Sequence, residues 1–263
     1  MLAYLSKKEQ PLQISTLEQY LNELLQPHAI KDFCPNGLQV QGKTQINKIV
    51  TGVTASQALI EQAIELNADA LLVHHGFFWK NESPTITGMK YQRIKALLEH
   101  NINLLAYHLP LDVHPELGNN AQLAKLLGIK VTGLVEENNP FSVVVKGELA
   151  KPMSGQSFNQ LITDKLNRTS LHIASSSNKE IKTVAWCTGG GQGYIELAAA
   201  QGIDAFVSGE ASEQTTHVAR EMDIHFFAAG HHATERYGAK ALGEHLAQKF
   251  DLDVEFVDIN NPV

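Results

Sequence analysis

Leu71-Leu-Val-His-His-Gly76 is the stretch on which the reading of this chain turns. Its short continuous apolar run, ending in two histidines and a glycine, has the composition of a strand buried on both faces. In open α/β sheets ligands bind outside the carboxyl ends of the strands, which is where His74 and His75 fall. Adjacent strand residues face opposite ways, so at a frayed end one histidine serves each of two metal ions more readily than both serve the same one. Two structural histidines closing a strand are the alternative.

Outward from this segment, strand and helix alternate. A capping box at Ser15–Glu18 opens a helix over Thr16–Leu25, with Leu17, Leu21, Leu24 and Leu25 at helical spacing. Strands are expected at Lys48–Val53, Ala70–Val73 and Asn103–Tyr107, with helices at Ser56–Leu66, Tyr91–His100 and Ala121–Leu127. The pattern then resumes with strands at Phe141–Lys146, Thr183–Trp186, Ala205–Val207, Ile224–Ala228 and Val254–Ile259. Helices over Phe158–Leu166, Tyr194–Ala200, Ser212–Glu221 and Thr234–Phe250 fill the intervals. The fold class expected is α/β, with mostly parallel sheets flanked by helices.

The two halves also resemble each other. Ile49–His75 aligns without gaps on Val184–Glu210, pairing Gln57 with Gln192, Glu61 with Glu196 and Asp69 with Asp204. His108-Leu-Pro-Leu-Asp112 corresponds to His231-His-Ala-Thr-Glu235, each after an apolar strand. This points to an internal duplication: a first half, 1–133, carrying His74, His75 and Asp112, and a second, 134–263, carrying His231 and Glu235. The site is expected in the cleft between them.

Pro110 excludes a regular strand, so the chain turns there and can aim Asp112 over the sheet edge, where a carboxylate suits a divalent ion. A turn cap is the alternative role for Asp112. His231 and Glu235, four apart, share a helix face, whereas His232 points elsewhere. Three histidines and two carboxylates exceed what one four-coordinate zinc takes, and two divalent ions with a shared carboxylate suit the count better. Zinc, iron and manganese are all compatible with such ligands.

Composition narrows the setting. Two cysteines, Cys34 and Cys187, far apart, indicate neither a disulfide framework nor a thiolate site and fit a reducing cytoplasm. The stretch Met1–Gln13 does not read as a secretory leader, and no stretch approaches the ~18 apolar residues of a membrane span. With net charge −7 and 21 scattered Lys and Arg, nucleic acid is not an expected partner.

Taken together, Pro35-Asn-Gly-Leu-Gln-Val40, Leu71–Lys80, Tyr107–Asp112 with Gly118-Asn-Asn120, Val207-Ser-Gly-Glu210 and Gly230–Arg236 resemble the NIF-three-like family, the GTP cyclohydrolase I type 2 homologues, along nearly the whole chain. The resemblance implies a dinuclear centre held by His74, His75, Asp112, His231 and Glu235, and a toroidal homohexamer whose metal sites face an interior cavity. The family name points to a cyclohydrolase-like reaction on a nucleotide or related small molecule.

Two functions follow from these readings. One is a metal-dependent hydrolase in which His108 is a proton shuttle or a support behind the ligands, a structural role for His108 being the alternative. The other is a non-catalytic metal-binding scaffold, or a ring that stores or delivers metal and binds other proteins. Gly189-Gly-Gly-Gln-Gly193 is either a phosphate cradle or a tight turn, and Glu210 either lines the cleft or caps a helix.

Overall fold

The computed structural model describes residues 11–263; Met1–Gln10, most of the stretch read for a leader, lie outside the described residues. β1 (Leu12–Gln13) leads into α1 (Ile14–Leu25), followed by β2 (Gly37–Val40), β3 (Gln45–Ile46), β4 (Lys48–Thr54), α2 (Gln57–Glu65), β5 (Ala70–His75), α3 (Gly88–Glu99), β6 (Asn103–Ala106) and α4 (Leu109–Val113). Then come α5 (Asn119–Leu127), β7 (Ile129–Leu134), β8 (Val145–Met153), α6 (Gly155–Leu166), β9 (Leu171–Ile173) and β10 (Ile181–Cys187). The chain ends in α7 (Ile195–Ala200), β11 (Ala205–Ser208), α8 (Glu213–Glu221), β12 (His225–Ala228), α9 (His231–Phe250) and β13 (Asp253–Phe256).

Two large sheets result, in the orders β13-β4-β5-β6-β2 and β7-β8-β10-β11-β12-β9, beside a small antiparallel pair of β1 and β3. Each has a parallel centre, β4-β5-β6 or β10-β11-β12, and carries an antiparallel strand beside β6 or β12. The duplication extends to hydrogen bonds. Asp69 Oδ2 accepts the Asn47 and Lys48 N–H groups, and Asp204 Oδ2 accepts those of Lys182 and Thr183, the residues that align with them. The Ile49–Ala70 register of β4 and β5 recurs as Val184–Ala205 in β10 and β11.

Both faces of the first sheet are covered, which is why its strands read as unbroken apolar runs. Leu71 and Val73 pack with Leu59 and Ile60 of α2, while Leu72 packs with Leu17 and Leu21 of α1 and with Leu242 of α9. The last segments cross back: α9 lies on β4 and β5, and β13 pairs with β4. Close approach is possible because Gly243 has no Cβ, which would stand 2.9 Å from Thr51 Cγ2. Conversely β7 joins the second sheet. Sheet membership therefore does not change at one point near residue 133.

Competing hydrogen bonds alter two local expectations. α1 starts at Ile14 without a side-chain cap, because Glu18 accepts the Leu38 N–H at 3.1 Å instead of closing a capping box. The strand expected from Phe141 starts at Val145, since Asn139 holds 139–142 in a turn by accepting the Phe141 N–H with its side chain and the Ser142 N–H with its carbonyl. No helix among the described residues is long and apolar enough to cross a membrane.

Candidate metal centre

The carboxyl end of β5 delivers His74 and His75. Across from it, Pro110 occupies the first turn of α4, where its missing N–H costs nothing, and the turn presents Asp112. The first two turns of α9 supply His231 and Glu235 from one face. The structure thus brings together all five residues singled out in the sequence as metal ligands.

Glu235 is the hub, 2% exposed. Its Oε1 lies 3.5 Å from His74 Nε2, and its Oε2 lies 3.3 Å from His75 Nε2 and 3.2 Å from His231 Nε2. His74 Nε2 is also 3.6 Å from Asp112 Oδ1. Two groups able to hold an ion follow, His74–Asp112–Glu235 and His75–His231–Glu235.

These separations exceed the roughly 2.7–2.9 Å of a charge-assisted hydrogen bond. They lie close to the roughly 3.3–3.6 Å between ligand atoms that share an ion tetrahedrally through bonds of about 2.0–2.2 Å. Consistent with that, His74 Nε2 and Glu235 Oε2 are buried without a hydrogen-bond partner, a costly arrangement unless something else satisfies them. The donor set fits a divalent ion.

Each histidine is aimed by its other nitrogen, as ligating imidazoles generally are. His74 Nδ1 meets the Tyr107 carbonyl at 3.1 Å, His75 Nδ1 the Thr54 hydroxyl at 3.2 Å, and His231 Nδ1 Glu210 Oε1 at 2.6 Å. Asp112 Oδ1 accepts Asn119 Nδ2–H at 2.8 Å and the Thr188 hydroxyl at 3.3 Å. Glu210, the repeat partner of His75, thus supports His231 from behind, and the cap of the following helix is Ser212. Gly189, from the Gly-rich run, sits against Glu235 as part of a tight turn, its N–H donating to the Thr234 hydroxyl at 3.0 Å. His232 turns away to Asp258 at 2.7 Å.

Burial works against charge on these histidines, but Asp112 and Glu235 hold His74 at about 9, and Glu235 with Glu210 holds His231 at about 9. His75 lies well below its ordinary value, burial being reinforced by its histidine neighbours against the pull of Glu235. Metal needs neutral imidazole, so uptake must expel protons from His74 and His231. Affinity is expected to fall as pH drops below about 9, with proton release that titration calorimetry in buffers of different ionisation enthalpy will register; equal heats across buffers would refute it.

The sequence reading missed Asp32 and Asn36. Asp32 accepts from His108 Nδ1–H at 2.7 Å, Asn36 Nδ2–H at 2.9 Å and the Phe33 and Leu109 N–H groups at 2.6 and 3.0 Å. Burial raises Asp32, yet the His108 and Asn36 bonds prevail and hold it at about 2. Both residues lie upstream of Ile49, outside the repeat, so the alignment of halves had no partner for them. The signals were a turn-forming run near Pro35 for Asp32 and membership of the Pro35–Val40 motif for Asn36.

The centre opens into a cleft of about 1030 Å³. Phe33, Trp79, Phe141 and Tyr194 contribute aromatic walls, with Lys31, Lys90 and Arg93 also lining it.

A duplicated α/β unit with a largely buried cluster of three histidines and two carboxylates at one end of its strands defines a protein able to hold divalent metal. The chain belongs to the Duf34/NIF3 (NGG1p interacting factor 3) family, whose model matches residues 12–262. It is 62% identical to a Vibrio cholerae protein named GTP cyclohydrolase 1 type 2 homolog, over 94% of this chain and 98% of that protein. A protein of the same name from Escherichia coli K12 is 56% identical over the same shares of the two chains. Among solved structures, protein ybgI, described as of unknown function, superposes with TM-score 0.92 at 55% identity, covering 96% of this chain and all of that one. A Thermus thermophilus structure follows at TM-score 0.85 and 31% identity, with the same coverage.

Proposed function

We propose that the protein binds two divalent ions per chain and is a metal-dependent hydrolase acting on a nucleotide or related small molecule. The observation that carries this reading is the division of labour within Glu235, whose two oxygens address two different histidine groups. His74, Asp112 and Glu235 would hold one ion, and His75, His231 and Glu235 the other. Ions so held supply Lewis acidity toward a carbonyl, imine or phosphoryl group and acidify water.

The chain's own residues do the rest. The aromatic walls offer faces to a planar ring. Lys31, Lys90 and Arg93 offer charge to an anionic group. His108, 14% exposed at its side chain and lining the cleft, is placed to move a proton. The relatives' shared name supports a cyclohydrolase-like reaction for this chain.

Purified protein is expected to carry about two metal equivalents per chain by elemental mass spectrometry, and trace metal after reconstitution would refute this. A nucleotide and purine-like substrate screen on the loaded protein, with Glu235→Gln as the control, tests turnover. Full metal with no turnover in that screen would reject the hydrolase and leave a metal-holding scaffold. His108→Ala is expected to keep most of its metal and lose about 10- to 100-fold in turnover. The homohexameric ring is part of the same proposal, and light scattering that reports a monomer at micromolar concentration would reject it.

A further inference from the structure

Four histidines converge on the cleft, and each ties Nδ1 to an oxygen. Three of them direct Nε2 at the carboxylates of the centre, 3.2–3.6 Å away. His108 differs. A nitrogen of its ring lies within 4.8 Å of nitrogens on both His74 and His75, but the one carboxylate within ion-pair range of it, among the described residues, is Asp32. Its ring stands edge-on to Trp79 at 5.2 Å, on the cleft side of the cluster.

We infer that Asp32 is a positioning residue that locks His108 in the Nδ1–H form, so that Nε2 presents a lone pair to the open face of the centre as a proton acceptor rather than a metal ligand. Asp32 is built for this. Its side chain is 4% exposed, both oxygens are bonded, and four N–H donors converge on it. Asn36 braces the pair from both sides, donating to Asp32 Oδ2 and accepting the His108 N–H at 2.7 Å.

Asp32, Cys34 and His108 also form a group by distance alone, which invites a third metal site. Its chemistry argues otherwise. Burial and the Asp32 charge push the Cys34 thiol up to about 12, and donors already occupy the Asp32 oxygens. In hydrolysis, Nε2 would take a proton from water as its oxygen bonds to the substrate carbon or phosphorus. The bond to the leaving group breaks, and Nε2–H returns that proton to it, leaving His108 unchanged.

The inference rests on the hydrolase reading for its role, but its test does not need turnover. In zinc-loaded, 15N-histidine-labelled protein at pH 8, long-range proton–nitrogen correlation is expected to show His108 protonated at Nδ1 and bare at Nε2. Asp32→Asn should abolish that pattern while zinc content stays at the wild-type value, and Asp32→Glu should restore it. Wild-type His108 protonated at Nε2 or at both nitrogens, or a pattern indifferent to Asp32→Asn, would overturn the inference even if turnover is found. Zinc loss in a folded Asp32→Asn protein would overturn it too, by making His108 a ligand. The wild-type spectrum decides the matter if Asp32→Asn fails to fold. An empty substrate screen with the expected spectrum would reject the hydrolase reading alone.

Discussion

Glu235→Gln is expected to lose at least one of two metal equivalents per chain, with affinity at the surviving site reduced by more than the ~10- to 100-fold typical of changes behind the ligands. The carboxylate bears charge on two oxygens, one facing His74 and the other His75 and His231. An amide offers one neutral acceptor and places an NH2 group where the second ion would bind. Glu235 is held well below its ordinary range because the neighbouring histidines outweigh a large burial penalty, so it is charged before any ion arrives. Glutamine is close in size, and the fold should persist, as circular dichroism can verify. A folded Glu235→Gln protein with full metal by mass spectrometry would show that Glu235 does not bridge.

Gly189→Ala is expected to destabilise the protein by about 2–4 kcal/mol and to disrupt metal binding as severely as Glu235→Gln. Two effects combine. Gly189 has φ +64°, where a side chain costs about 1–2 kcal/mol. The added Cβ would also stand 2.1 Å from Glu235 Oε1 and 3.0 Å from His231 Nε2, forcing the hub of the centre to move. At roughly 2–4 °C per kcal/mol for a chain of this size, Tm should fall by roughly 5–15 °C. Gly193, in the same Gly-rich run, faces open space, so Gly193→Ala is the control and should change Tm by less than about 2 °C. Equal behaviour of the two variants would reject the packing argument.

Much of this molecule was legible in sequence because its signals are local and written twice. Apolar runs such as Leu71–Val73 mark strands covered on both faces, and the pairing of Asp69 with Asp204 at a fixed offset anticipates two residues that accept equivalent backbone N–H pairs. The metal-ligand candidates could be named because strand ends in such units converge on a ligand site, whatever the details of the sheet. Tertiary structure alone decided the rest. No local pattern says that β13 pairs with β4, since a strand's partner is chosen by the sheet edge that folding leaves open. Glu18 had two possible partners, its own helix end and Leu38, and packing made the second available. Asp32 reaches His108 across 76 positions of chain, and neither its spacing nor its neighbours distinguish it from an ordinary turn aspartate. It becomes part of the site because the turn before β2 folds over the end of β6, a juxtaposition that exists only once the first sheet has formed.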